Sequence, residues 1–241
     1  QVGAGAAHIT FGDPDFFNGP RHAIAVVTGL ARRWAGLSYD VTVKVEHLLR
    51  HADLLPLLRE TGCLFVASAI ESFDDEVLRR LEKGHTRADA ARAITLCEEV
   101  GVPLAPTFVA FTPWTTPAGY GAFLQAIASL GVVARVPSIQ LALRLLVPDG
   151  SRLLESHDVA SLVAPFDAGR LVHPWRHTDP TVDALQRDVE QLVAGRAGAP
   201  REDVFADVVR LVELYTGAPL PLPPDVPARA AIPWLDEPWY C

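Results

Sequence analysis

Residues 63–113 run from an unbroken apolar segment through two helical patterns into a second apolar segment, and that alternation restricts the fold more than any other feature. Cys63-Leu64-Phe65-Val66-Ala67-Ser68-Ala69-Ile70 contains β-branched and aromatic residues without polar alternation, the mark of a strand buried on both faces. A helix carrying Lys83-Gly84-His85-Thr86, a second helix and a further apolar strand over 101–111 follow. The first strand ends in Glu71-Ser72. A carboxylate at the carboxyl end of a buried parallel strand sits where α/β folds place ligands. Inside the sheet it would face a large desolvation cost. Glu71 is therefore a candidate site residue.

Upstream, a short strand breaks at Gly12, and Asp13-Pro14-Asp15 forms a turn. Pro14 pushes Asp13 out of the helical region, and Gly12 lets the backbone approach a ligand closely. The turn either presents Asp13 or Asp15 to a cation, or uses Asp15 or Asn18 to cap a helix starting near Pro20. Residues 39–46 alternate strictly, with Val41, Val43 and Val45 opposite Asp40, Thr42, Lys44 and Glu46. Lys44 and Glu46 then point into a catalytic mouth or pair on an exposed edge. His47 and His51 stand at i and i+4, a metal-binding spacing, but no Glu follows His47 to complete a zinc-protease pattern. A surface or capping role is the expectation for both. Pro56 breaks or kinks the helix over 48–60.

Lys83-Gly84 reads as a helix stop, and Thr86 with Asp89 as the cap of the next helix. Thr116-Pro117 opens another. Residues 132–146 read as a further strand whose polar positions are Gln140 and Arg144. Arg144 in so apolar a run needs a partner, either a substrate carboxylate or phosphate or a structural acid such as Glu155. Two amphipathic helices follow, near 182–194 and 201–216, and then a proline-rich stretch ending in Trp234, Trp239 and Tyr240.

With 241 residues and 49% hydrophobic content, the chain can bury a large core. A net charge of −8 gives no basic footprint for nucleic acid. No apolar run is long enough to span a membrane, and no secretory leader is evident, so a cytoplasmic protein is expected. The three cysteines, Cys63, Cys97 and Cys241, are too scattered for a disulfide framework or compact metal site. Methionine is absent and the chain opens with Gln1, so the natural amino terminus is expected to be missing.

The strand ending in Glu71-Ser72, the leucine-rich helix leading to Lys83-Gly84-His85-Thr86, and the strand from Gly101-Val102 that leads to Pro113-Trp114-Thr115-Thr116 stand in fixed order. Together they resemble the middle of the radical S-adenosylmethionine (SAM) barrel, and the likeness covers roughly residues 5–155. Ala105, Pro106 and Ala110 stand where that family usually has glycines. The resemblance implies an α/β fold: a partial TIM-like (β/α)6 barrel lacking its first strand, with parallel strands near 7–11, 40–46, 63–70, 103–111 and 135–144. The expected domains are the barrel over 1–155, a helical extension over 156–216 and a proline-rich aromatic tail over 217–241.

It further implies S-adenosylmethionine and a 4Fe-4S cluster as cofactors. The cluster's Cx3Cx2C ligands are expected upstream of residue 1, leaving the chain inactive as it stands. Asp13 and Asp15 would take the methionyl ammonium, Ser68 and Glu71 the ribose hydroxyls, and Lys83 or Arg87 the SAM carboxylate. Lys44, Glu46, Gln140 and Arg144 would face a small-molecule or peptide substrate, with flavodoxin or ferredoxin as electron donor. The likeness is closest to a group whose tail runs Trp-Tyr-Cys, then Cys or selenocysteine, then Ala-Glu-Pro. Trp239-Tyr240-Cys241 stops one residue short of that variable position, so Cys241 is expected to precede a selenocysteine and form a redox or soft-metal pair. Two rival readings stay open: a TIM-barrel lyase or aldolase with Lys44 as Schiff-base amine, and a non-catalytic barrel that binds a partner through its tail.

Overall fold

The computed structural model describes residues 2–223. The expectations for Trp234, Trp239, Tyr240 and Cys241 lie outside the described residues. Along the chain run β1 (His8–Thr10), α1 (Pro20–Arg33), β2 (Ser38–Thr42), α2 (Val45–Arg50), α3 (Leu55–Glu60), β3 (Cys63–Glu71), α4 (Asp75–Arg80), α5 (Arg87–Glu99), β4 (Leu104–Phe108) and α6 (Pro117–Ser129). After a stretch of short 3-10 turns come α7 (His157–Ala160), α8 (Pro180–Gly195) and α9 (Arg201–Thr216). The fold is mixed α/β around one four-stranded parallel sheet in the order β1-β2-β3-β4.

Two compact units make up the described chain. Residues 2–70 and 88–107 form the first, which holds nearly all of the sheet. Its core is largely aliphatic: Val27, Val41, Val43, Leu48, Leu58, Val66, Ile70 and Ile94 are fully buried, with Phe17 and Tyr39 among them. Each such side chain contributes about 1.5–3 kcal/mol of apolar burial. Gly62 feeds the chain into β3 at φ 101°, and a Cβ there would sit 2.6 Å from the Leu37 carbonyl oxygen, so only glycine fits. Pro56 does not kink one long helix; it occupies the first turn of α3, which is separated from α2 by a 3-10 turn at Ala52–Leu54.

Residues 71–87 and 108–223 form the second unit. Phe73, Phe108 and Phe123 pack in its core, with Phe108 5.1 Å from each of the other two rings, and Tyr120 stacks on Phe111 at 4.6 Å. The apolar stripes of α8 and α9 meet each other, and α9 also packs on α6. Thr116 caps α6 by accepting from the Gly119 amide, and Asp74 caps α4 by accepting from the Glu76 and Val77 amides.

The strand expected over 135–144 is not formed. Pro137 lacks an amide donor, and Val133–Arg135 and Ser138–Leu141 on either side of it coil into 3-10 turns. What remains of that strand is a single parallel rung between Phe111 and Arg144. Gln140 supplies part of the missing ladder through its side chain, its Oε1 accepting from the Phe108 amide at 2.8 Å. The expected strand over 40–46 also ends early, at Thr42, because Lys44 is already the N-cap of α2.

Candidate functional site

In the first unit, the turn after β1 leads to a buried carboxylate. Asp15 is 5% exposed. Its Oδ1 accepts from the Lys44 amide at 3.3 Å, and its Oδ2 lies 2.8 Å from His47 Nδ1 and 3.8 Å from Lys44 Nζ. The His47 contact is an ion-pair distance without the alignment of a hydrogen bond. Asp15 therefore closes the start of α2 rather than capping α1, whose N-cap is Gly19. Asp13 lies at the surface and accepts the Asp15 amide at 2.9 Å through one oxygen, which leaves its other oxygen open.

His47 departs from the expected surface role: its side chain is 12% exposed, and Glu46 approaches its far nitrogen at 3.8 Å. His51 packs its ring edge-on against Phe17 instead of joining a metal site. Lys44 is 61% exposed. Nothing surrounds it with the apolar pocket that a Schiff-base lysine uses.

A second polar group in this unit sits within the sheet. His8 reaches Asp40 Oδ1 at 2.8 Å and Ser38 Oγ at 2.9 Å, and the Thr10 hydroxyl donates to Asp40 at 2.7 Å. Both imidazole nitrogens are thereby engaged, so this network ties β1 to β2.

In the second unit, Glu71 closes β3 with φ 68°, the left-handed region, which costs a non-glycine residue about 1–2 kcal/mol. Its carbonyl accepts from the Val109 amide at 2.9 Å, and its carboxylate, 21% exposed, meets Lys83 Nζ at 3.0 Å. Lys83 is positioned by the end of α4. There Glu82 takes the left-handed φ of 52° and the Lys83 amide donates to the Leu78 carbonyl at 3.1 Å, the wide bond of a Schellman turn. The helix stop expected at Gly84 is thus made two residues earlier, by Glu82. A carboxylate held off its ordinary backbone conformation at the end of a parallel strand, with a lysine as partner, is suited to accept hydrogen bonds from a diol.

Ser68 does not join this group. It is fully buried, and its hydroxyl donates to the Val43 carbonyl at 2.6 Å, tying β3 to the end of β2. Gln140 is committed to β4. Arg144 finds a structural acid, Asp183, at 2.7 Å, rather than Glu155.

The second unit holds a cavity of about 410 Å³, walled by Phe73, Trp114, Tyr120 and Phe123, with Asp74, Asp75, Arg87 and several Ser and Thr hydroxyls as polar members. Nearby, the carboxylate of Asp158 is pulled down to about 2, first by the Ser156 hydroxyl, then by the Trp114 indole and the charge of Arg80. These contacts lock α7 to α4 and to the loop after β4.

No group of three or more His, Cys, Asp or Glu among the described residues is arranged to hold a metal. Cys63 and Cys97 are buried, and burial pushes the Cys63 thiol up to about 12, far from a ligating thiolate. Among the described residues no helix is long and apolar enough to cross a membrane.

No family model and no curated protein matches the chain. Solved structures do. The cobalamin-dependent S-adenosylmethionine radical enzyme OxsB, with aqua-cobalamin and S-adenosylmethionine bound, superposes with a TM-score of 0.63 at 12% identity, over 87% of this chain and 39% of that one. The radical S-adenosylmethionine methyltransferase TsrM from Kitasatospora setae, with tryptophan and aza-SAM bound, gives a TM-score of 0.51 at 17% identity, over 90% of this chain and 51% of that one. The chain spans 39% to 51% of the length of these proteins. At such identities the likeness is one of fold: the chain is built like part of a radical S-adenosylmethionine enzyme.

Proposed function

We propose that this chain is the SAM-binding part of a radical SAM enzyme, with Glu71 as the acceptor for the ribose hydroxyls. One observation carries this reading: Glu71 is held in a strained left-handed conformation and paired to Lys83 at the carboxyl end of β3. The fold shared with OxsB and TsrM supports it. In the first unit, Asp15 is spent on His47 and the Lys44 amide and is not offered to a ligand. Lys83 holds the Glu71 carboxylate in place through its ion pair. Ser68, sealed behind β2 and β3, takes no part.

A 4Fe-4S cluster supplies the electron for SAM cleavage in such enzymes, and the described residues do not fit it. In this reading its cysteines lie outside them, with a flavodoxin or ferredoxin as electron donor and a small molecule or peptide as substrate. Cobalamin, bound by the neighbours, forms no part of the proposal. The aldolase alternative loses ground through the exposure of Lys44.

The test is calorimetric titration of the chain with SAM, against Glu71→Ala. The variant is expected to weaken binding at least about tenfold, the worth of one charge-assisted hydrogen bond. Equal affinity in wild type and Glu71→Ala would remove Glu71 from the site.

A further inference from the structure

We propose that the second unit carries a binding site for a small phosphate-bearing molecule at the start of α8, independent of the SAM reading. A cavity of about 420 Å³ opens there, lined by Arg144, Trp175, Arg176, Asp183, Gln186 and Arg187. That volume falls within the range of small-molecule sites.

The floor is rigid. The Arg144 guanidinium lies 3.5 Å from the centroid of the Trp175 ring, donates to the Trp175 carbonyl at 2.8 Å and pairs with Asp183 at 2.7 Å. Asp183 also accepts from the His177 amide, and Trp175 donates its indole N–H to the Leu145 carbonyl at 2.8 Å. Gln186 is buried and anchored to the Ala142 carbonyl at 3.2 Å.

The rim is different. Arg176 and Arg187 are exposed, and among the described residues neither guanidinium has an acidic partner. Most other arginines near acids in this acidic chain are paired: Arg79 and Arg80 with Glu76, Arg152 with Glu82, and Arg196 and Arg210 with Asp207. Three guanidinia and one carboxylate leave two net positive charges on the cavity. The helix end does not set this sign, because Asp179 already caps α8 by accepting from the Thr181 amide. Two planar forks that line one cavity, neither ion-paired to a carboxylate among the described residues, match the oxygens of a phosphate monoester, which carries close to two negative charges at neutral pH. The cavity is large enough to admit the organic part beside the phosphate.

The probe is inorganic phosphate, read at the arginine Nε–Hε NMR signals of the full chain at constant ionic strength. Saturable shifts at Arg176 and Arg187 are expected. In Arg176→Gln/Arg187→Gln affinity should fall at least tenfold with an unchanged thermal midpoint, since both side chains are exposed. Malonate serves as a dicarboxylate control and chloride as a control for charge alone. A linear response without saturation, or binding that survives in the double variant, would overturn the site. Malonate binding as tightly as phosphate would overturn the phosphate assignment.

Discussion

Glu71 combines a backbone penalty with a partly buried, ion-paired charge, so stability and binding should respond to its replacement in different ways. Glu71→Gly removes the left-handed strain together with the Lys83 pair, and the two effects offset. The unfolding free energy is expected to stay within about 1 kcal/mol of wild type. SAM binding is expected to be lost. Denaturant unfolding alongside the titration checks both. Asp158 gives a pH signature. Its folded pKa of about 2 lies below its ordinary value of 3.8, so the ionised form stabilises the fold above about pH 4. That contribution fades as pH falls through 2. Because Asp158 is 41% exposed, the effect should stay under about 1 kcal/mol. Asp158→Asn should be less stable than wild type above pH 4, with the gap closing by pH 2, in a series of thermal midpoints. At this scale the sequence revealed residues but not their partners. Arg144 and Asp183 are 39 positions apart, and no local spacing links them. His47 carried a metal-like spacing with His51, whereas its burial beside Asp15 depends on how the turn after β1 meets α2.

Among the elements, those with a pattern strong enough to stand alone were legible. The apolar run of β3, the capped start of α6 and the stripes of α8 and α9 all fall within two residues of their expected bounds. The run over 135–144 shows where that logic stops, since its apolar content matches a strand while Pro137 denies it a continuous ladder. In its place the Tyr120 hydroxyl, fully buried, donates to the Leu141 carbonyl at 2.8 Å and fastens α6 to the 3-10 turn at Ser138–Leu141. Tyr120→Phe keeps the stacking on Phe111 and strands that carbonyl. A loss of about 1–2 kcal/mol is expected, read as a lower denaturant midpoint at constant m-value.

For the molecule as a whole, the donor set makes a direct prediction: anaerobic reconstitution of this chain with iron and sulfide should yield no 4Fe-4S absorption or paramagnetic signal. Cys63 and Cys97 are sealed in the core of the first unit, and the described residues contain no ligand cluster. A cluster bound stoichiometrically would mean that the described donors had been misjudged. The sheet has a further consequence. Its order, β1-β2-β3-β4, is the order of synthesis, and each strand pairs with the one made just before it. On the ribosome, every emerging strand would find its template already laid down, so the sheet can grow at one edge without waiting for distant sequence or parting a pair already made.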